Sequence, residues 1–280
     1  MRLALASCFD LPSWEVDDRP LHDALRREGH DVEVHPWNSA VDWSSFDGVL
    51  IRTTWDYTAH RDAFVAWCRR LGPRIHNPPD VIAWNTHKGY LRELERAGVP
   101  IVPTVWLPQG SDLSALEAHV DGPVFLKPCV GATAEGTARF EGWGPEAIAW
   151  ARQLTSAGDA MLQPFLSRVG TDGERSAIVV DGAVTHWVRK VPVPGDYRVQ
   201  DDHGASDHVH RPSAEEEDLV DRTLAALPSG LLYGRIDWLL DDHGPRINEV
   251  ELVEPSLFFR HGPRAAETLA RAWVRRLQAT

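Results

Sequence analysis

The chain has 280 residues, of which 43% are hydrophobic and 25% are charged, and these fractions are typical of a globular protein. No apolar run approaches the ~18 residues that a bilayer span requires, and the formal charge of -12 would repel nucleic acid. We therefore expect neither a membrane nor a nucleic-acid partner. The three cysteines, Cys8, Cys68 and Cys129, are odd in number and far apart, which predicts reduced thiols in a cytoplasmic protein.

Strand and helix patterns alternate over the first third of the chain, which predicts a parallel sheet with covering helices and therefore the α/β class. Proline prevents residues 75–79 from being helical, so we expect an extended connection there. The first domain is predicted to cover residues 1–84. Its expected strands are 2–7, 32–34 and 48–52, and its expected helices are 19–28 and 61–71.

The remainder of the chain predicts two further domains, a small lid at 85–160 and a sheet-based α+β domain at 161–280. The polar segment 200–208 has no periodicity, so we expect a loop. The lid is expected to contain helices 88–97 and 113–119, extended chain over 99–106 and the strand 124–128. The last domain is expected to contain strands 177–180, 185–189, 234–240 and 246–250 and helices 215–227 and 264–277.

The first chemical motif is a predicted strand that ends in Lys127 and opens into the small residues of segment 130–137. Small side chains allow backbone N–H groups to approach phosphate oxygens, and Lys127 adds a positive charge. A second motif is the apolar strand 160–166, broken by Pro164 and followed by Glu174. Such a strand can line a slot for a nucleotide base, with a carboxylate near the ribose. Taken alone, each motif is more typical of an ordinary turn than of a binding site.

Three carboxylates on two apolar strands favour a binding site over a set of ordinary turns. A hairpin between 234–240 and 246–251 would bring Asp237 beside Glu249, and the strand period of two places Glu249 and Glu251 on one face. Carboxylates on apolar strands are costly unless a cation neutralises them. Mg²⁺ shared with substrate phosphates is the usual cation in such an arrangement. The pattern therefore predicts a magnesium site.

These motifs follow one another in an order that resembles the ATP-grasp superfamily of ligases over residues 80–260. The chain looks like the glutathione synthetase and ribosomal-protein-modifying ligase branch, and the Gly-Arg-Ile-Asp segment 234–237 is similar to that of D-Ala-D-Ala ligase. The resemblance implies an ATP-grasp fold with a Rossmann-like pre-ATP-grasp domain, a small lid domain and a C-terminal ATP-grasp domain.

Carried over residue by residue, the resemblance implies sites for ATP and Mg²⁺. Arg235, Lys127 and Arg198 would be catalytic, and Asp237, Glu249 and Glu251 would hold the metal. Many members have Asn where this chain has Glu251, which leaves the number of magnesium ions open. The implied ATP-binding residues are Lys88, Lys127, Val130, Gly131, Ala132, Thr133, Ala134, Gln163, Pro164, Phe165, Leu166 and Glu174.

Segments 52–57, 84–88 and 249–255 look like a narrower group that includes the D-cycloserine-forming O-ureido-D-serine cyclo-ligase. The resemblance implies a small, amino-acid-like substrate, and a homodimer is a further hypothesis. Arg52 lies at the end of a strand, where open α/β sheets bind ligands, so it could bind a carboxylate. Glu254 could meet either the substrate or the metal. The predicted substrate-binding residues are Arg52, Trp55, Asp56, Tyr57, Arg189, Lys190 and Glu254.

The leading functional hypothesis is a ligase that activates a carboxylate as an acyl phosphate, which an amine then attacks. Ligation could close a ring within one molecule or join two amino acids or peptides. A kinase that releases a phosphorylated product and a nucleotide-binding regulatory protein without ligation remain alternatives. The intact Arg235, Asp237, Glu249 and Glu251 argue against the regulatory alternative.

Overall fold

A computed structural model describes residues 1–11, 17–113, 116, 122–132, 134–199 and 204–279. The described residues form three sheets, two of four strands and one of five, with helices between and around them. This mixture of strands and helices confirms the predicted α/β class. Among the residues described, no helix is both long enough and apolar enough to cross a membrane.

The first sheet is parallel, as the alternating pattern predicts, and its strand order is β2-β1-β3-β4. Its central strand β3 is buried along its whole length because apolar side chains cover both of its faces. Helices α1 and α2 begin where the sequence predicts them. The elements are β1 (Arg2–Ser7), α1 (Arg19–Arg27), β2 (Asp31–Pro36), β3 (Gly48–Thr53), α2 (Arg61–Leu71) and β4 (Ile75–His76).

Two short helices, α3 (Pro79–Asn85) and α4 (Tyr90–Arg96), connect this sheet to the next. The sequence predicts α4 but not α3. Residue Pro79 occupies the first turn of α3, where its missing N–H costs no hydrogen bond, so proline marks a helix start here. The predicted extended connection therefore ends at Pro78.

The second sheet is antiparallel with the order β5-β8-β6-β7, and α5 packs against it. Residues Ala147, Ala151 and Thr155 recur every four positions on the buried face of α5, a helix that the sequence analysis missed. The predicted helix 113–119 lies mostly outside the described residues. The elements are β5 (Val105–Leu107), β6 (Val124–Pro128), β7 (Ala138–Phe140), α5 (Pro145–Ala157) and β8 (Ala160–Pro164).

The third sheet is antiparallel with the order β11-β10-β9-β12-β13. All four of its predicted strands are present, and β11 occupies part of the segment that was predicted to be a loop. The elements are α6 (Val169–Asp172), β9 (Glu174–Val180), β10 (Ala183–Val191), β11 (Ser206–Val209), α7 (Ala214–Ala226), β12 (Tyr233–Asp241), β13 (Gly244–Glu251) and α8 (Pro263–Gln278).

One hydrophobic core joins the first and third sheets. Helix α8 contributes Leu269 and Trp273, which are fully buried together with Leu5 of β1, Leu25 of α1 and Ile178 of β9. A shared core holds the two sheets in a fixed relation, because separating them would expose these side chains to water. The second sheet has its own, smaller core around Leu126 and Leu162.

Candidate active site

A cavity of about 240 Å³ lies where the three sheets meet. Its wall includes Trp55 after β3, Phe125 on β6 and Asp237 on β12, so each sheet supplies part of it. The cavity contains most of the predicted site residues. They are Trp55, Tyr57, Lys88, Lys127, Gly131, Ala132, Ala134, Gln163, Pro164, Phe165, Leu166, Glu174, Lys190, Arg198, Arg235, Asp237, Glu249, Glu251 and Glu254.

Three predicted substrate residues, Arg52, Asp56 and Arg189, do not line this cavity. Arg52 is only 2% exposed and donates to the carboxylate of Asp18 and to the carbonyl of Pro255. The carboxylate of Asp56 accepts a hydrogen bond from Trp37 at 2.8 Å. In this structure the hydrogen bonds of Arg52 and Asp56 therefore connect neighbouring segments of the protein.

Arg189 is the third of these residues. It donates to the carbonyls of Asp172 and Thr171 at 2.7 Å each. Successive side chains of a strand point to opposite faces, so Arg189 and its neighbour Lys190 cannot both reach the cavity. The predicted ATP-binding residue Val130 also does not line the cavity, and Thr133 lies outside the described residues.

The predicted pairing of acidic strands is present. Asp237 lies opposite Glu249, and Arg235 lies opposite Glu251, across β12 and β13. The register shifts next to this pair, because Trp238 lies opposite Ile247 and leaves one extra residue on β13. A bulge of this kind re-aims side chains. It places Asn248, which the sequence analysis missed, in the cavity wall beside Glu249.

Asp237 is the most enclosed of these carboxylates, with 1% exposure. It accepts hydrogen bonds from Arg235 Nε at 2.9 and 3.0 Å and from Ser176 at 2.5 Å, and Lys190 Nζ is 3.5 Å away. Burial alone would raise the pKa of Asp237, but Arg235 and Lys190 hold it below the usual value. The carboxylate therefore stays ionised inside the protein.

Two lysines lie near Glu249, in the acidic group formed by the carboxylates of Asp237, Glu249 and Glu251. Lys88 Nζ lies 2.8 Å from Glu249 Oε1 and donates to the carbonyl of Gly131 at 2.8 Å. Lys127 donates to Asn248 at 3.1 Å, and burial lowers the pKa of Lys127 to about 8. Asn248 in turn donates to Glu174, so the bulge connects the lysine of one sheet with the carboxylate of another.

Negative charge remains in excess around Glu251 and Glu254. Burial raises the pKa of Glu251 to about 7, and although Arg235 opposes this rise, Glu249 adds to it. Burial and the two neighbouring carboxylates raise the pKa of Glu254 well above its usual value. Among the described residues, however, no three carboxylate, histidine or cysteine side chains surround a common point as a preformed metal site.

The backbone that carries Glu249 and Glu251 is fixed from outside the third sheet. Asn85 donates to the carbonyl of Val250 and accepts from the amide of Leu252, at 2.8 and 2.7 Å. The amide of Val250 donates to the hydroxyl of Tyr90 at 2.8 Å. Helices α3 and α4 thereby complete the hydrogen bonds of the edge strand β13, and a buried backbone group needs such partners.

Three aromatic residues, Phe125, Phe165 and Tyr197, form an aromatic wall on another side of the cavity. Tyr197 meets Phe125 and Phe165 edge to face, with ring centroids 5.3 and 6.0 Å apart. The amide of Phe165 donates to the carbonyl of Pro123 at 2.9 Å, which fixes the segment after β8 to the second sheet. The adjacent Arg198 is held by Asp196 at 2.7 Å. A flat, apolar base fits such a wall.

Comparison with known proteins gives one consistent result. Residues 3–77 match the family model described as the N-terminal domain of D-cycloserine synthetase DcsG. Over 286 residues the chain is 30% identical to the cycloserine biosynthesis protein DcsG of Streptomyces lavendulae, covering 94% of this chain and 95% of that protein.

Solved structures agree with these matches. The crystal structure of D-cycloserine synthetase DcsG has a TM-score of 0.85 and 28% identity, covering 99% of this chain and all of that one. The D-alanine–D-alanine ligase of Bacillus anthracis has a TM-score of 0.72 at 16% identity, covering 100% and 98%. At that identity, the second similarity concerns the fold alone.

Proposed function

The chain belongs to the ATP-grasp ligase family that contains DcsG, and from that premise we propose that it closes a ring within one amino-acid-like substrate, as in D-cycloserine formation from O-ureido-D-serine. As a member of this family it is an ATP-dependent carboxylate–amine ligase that acts on a small molecule. Ring closure within one molecule is a more specific proposal than this ligase activity. What supports it is the match over residues 3–77, the part of the chain that supplies Trp55 and Tyr57 to the cavity.

We infer that ATP lies against the lid sheet, with its phosphates toward β12 and β13. The aromatic wall and the segment 163–166 would take the base, and Lys88, Lys127 and Arg198 would meet phosphate oxygens. Ala134 and Gly136 have positive φ angles of 59° and 71°, a backbone form that is common in anion-binding turns.

The acidic group fits a magnesium ion that arrives with the nucleotide. Asp237, Glu249 and Glu251 offer oxygen atoms, which Mg²⁺ prefers, and the excess charge around Glu251 favours a cation there. When bound, the ion would neutralise phosphate charge. In this structure Arg235 and Lys88 neutralise the same carboxylates, so the nucleotide would have to draw these cations toward its phosphates.

The proposed reaction has two steps. An oxygen of the substrate carboxylate attacks the γ-phosphorus of ATP, and ADP leaves with the electron pair of the broken bond. The amine nitrogen then attacks the acyl carbon, phosphate leaves, and the nitrogen loses a proton. With O-ureido-D-serine the closed ring still carries the carbamoyl group on this nitrogen, and hydrolysis of that group to carbon dioxide and ammonia gives cycloserine. Arg235, with its guanidinium on the cavity wall, would stabilise charge on the transferring group. The loop 131–136 would cover the intermediate and exclude water.

ADP release in the presence of Mg²⁺ tests this proposal, with O-ureido-D-serine, single amino acids and dipeptides as substrates and Glu249→Gln as the inactive variant. Turnover of O-ureido-D-serine alone, with cycloserine detected by mass spectrometry, is the expected result. Turnover only with two components present would identify a bimolecular ligase instead. ADP release without a new C–N bond would identify a kinase.

Assembly and location are further proposals. We predict a homodimer, and light scattering at several protein concentrations tests it. A cytoplasmic location is supported by the use of ATP and by the three buried, unpaired cysteines among the described residues.

A further inference from the structure

Glu254 differs from the other carboxylates of the cavity. It is 7% exposed and lines the cavity, so its carboxylate faces the space where a ligand would lie. The one donor to its carboxylate is its own backbone amide, and no other residue in the described part of the chain forms a hydrogen bond or an ion pair with this carboxylate. Four other carboxylates of the cavity have cationic partners, in the pairs Lys88–Glu249, Lys190–Glu174, Arg235–Asp237 and Arg235–Glu251, whereas the remaining one, Glu135, is exposed to solvent.

A buried carboxylate without a partner is costly, because it loses its hydration and gains nothing in return. Such a group takes up a proton unless a bound cation keeps it ionised. The cation could be a metal ion or an organic ammonium group. The surroundings of Glu254 distinguish between these two.

Two aromatic residues of the first domain stand beside Glu254. Trp55 donates from its indole nitrogen to the backbone carbonyl of Glu254 at 3.4 Å, and Tyr57 lines the same cavity with its ring stacked on Phe64 at 4.8 Å between centroids. Aromatic faces attract organic cations. Mg²⁺ needs an octahedral shell of oxygen atoms, which indole and phenyl carbons cannot provide.

We propose that Glu254, Trp55 and Tyr57 form a subsite for a protonated primary amine of the acid substrate, separate from the nitrogen that is ligated. The proposal rests on the ligase function above and narrows its substrate class to amino acids that carry a further nitrogen besides the α-amine. An ammonium group held by Glu254 has no free electron pair and cannot attack the acyl phosphate. The subsite would thereby leave the second nitrogen as the nucleophile.

Equilibrium binding tests the subsite without catalysis. Calorimetric titrations with a non-hydrolysable ATP analogue and Mg²⁺ present would compare O-ureido-D-serine and D-serine with the matching acids that lack the α-amine. We expect the wild type to bind the amino compounds about 10- to 100-fold more tightly, the range for a hydrogen bond to a charged group. Glu254→Gln should abolish this preference, and Glu254→Asp should keep part of it.

Glu141→Gln is the matched control, because Glu141 lies on the lid with 81% of its side chain exposed. It should bind all ligands as the wild type does. Thermal unfolding of each variant shows whether it folds, and removing an uncompensated buried charge should not lower the midpoint. Titrating the ATP analogue at several Mg²⁺ concentrations independently measures how strongly its binding depends on the metal.

Two results would overturn the subsite. One is an equal affinity of the wild type for amino and deaminated compounds, and the other is a Glu254→Gln variant that keeps its preference but needs more Mg²⁺. These results leave the ligase proposal standing if ATP turnover still depends on Glu249. Conversely, a retained preference for amino compounds without any ligation would contradict the proposed reaction and keep the subsite.

Discussion

The ammonium group of Lys88 lies 2.8 Å from Oε1 of Glu249, so a residue expected to bind phosphate is paired with one expected to bind magnesium. Lys88 is buried and Glu249 is half-buried, and Lys88 also donates to the carbonyl of Gly131 in the small-residue loop. The pair therefore keeps two opposite charges in place before the nucleotide arrives. Binding of ATP and its metal would give each group a new partner.

Lys88→Met should accordingly weaken ATP binding by about 2 kcal/mol, or about 30-fold, the scale of one hydrogen bond to a charged group. Glu249 would lose the cation that burial makes necessary, and this loss should also lower the thermal midpoint. Calorimetry with a non-hydrolysable ATP analogue measures the first effect. Unchanged ATP affinity in a folded variant would remove Lys88 from the nucleotide site.

The Arg52→Met variant should have a lower free energy of unfolding than the wild type, and its substrate binding should not be impaired. The guanidinium is enclosed and donates to both oxygens of Asp18 and to Pro255, so its removal leaves the Asp18 carboxylate without its main partner. Breaking a buried pair costs about 3–5 kcal/mol. Urea denaturation measures this loss, and Asp18→Asn should show a similar one.

Arg69→Met is the control for Arg52→Met, because Arg69 is exposed near the end of α2. Its unfolding free energy should stay within about 0.5 kcal/mol of the wild type. A rise in the substrate KM of Arg52→Met with no loss of stability would restore the original prediction that Arg52 binds substrate.

Asn85→Leu should reduce turnover although Asn85 carries no charge. Its amide closes two hydrogen bonds to the backbone of Val250 and Leu252, on either side of Glu251. Leucine would leave a buried carbonyl and a buried N–H unpaired, at about 1–3 kcal/mol each. We expect a lower thermal midpoint and a lower kcat at saturating ATP. A variant with normal kcat and lower stability would limit Asn85 to a structural role.

The sequence predicts what depends on local patterns. Alternating strands and helices specify the first sheet, the turn between β12 and β13 predicts the hairpin that brings Asp237 beside Glu249, and the period of two places Glu249 and Glu251 on one face. The same period cannot predict Asn248 in the cavity wall, because the bulge that places it there interrupts the alternation. A bulge depends on how two strands fit together, and neither strand shows it alone.

Long-range contacts account for the other differences. Arg52 lies at the end of β3, a position typical of ligand binding, yet its guanidinium donates to Asp18, which lies 34 residues earlier in the chain. The role of Asn85 depends on β13, which is 165 residues later in the chain at Val250. Such partners become neighbours only when the sheets share a core, so a sequence pattern cannot indicate them.

Acid should unfold the protein partly through Glu216, which lies in the first turn of α7. Its carboxylate accepts hydrogen bonds from the Ser213 amide at 2.8 Å and from Trp238 at 3.1 Å, and it meets His210 at 2.9 Å. Burial would raise the pKa of Glu216, but these partners outweigh burial and lower it to about 2, from 4.5 for a free side chain. Folding therefore favours the ionised form.

The sign of the effect follows from this lowered pKa. Above pH 4.5 the side chain is ionised in both the folded and the unfolded protein, and its stabilising contribution is complete. As the pH falls from 4.5 toward 2, the unfolded chain takes up a proton first, so the contribution is progressively lost. Glu216→Gln should be less stable than the wild type at pH 7 by about 1–3 kcal/mol and should lose less stability over this acid range.

Urea denaturation at pH 7, 4.5 and 3 measures both effects, with Glu217→Gln as the control. Glu217 is the next residue of α7 and is exposed, so its variant should follow the wild type at every pH. Because Gln can also occupy this position of a helix N-terminal capping box, the fold of Glu216→Gln should persist. Parallel curves for wild type and Glu216→Gln below pH 4.5 would show that other carboxylates cause the acid unfolding.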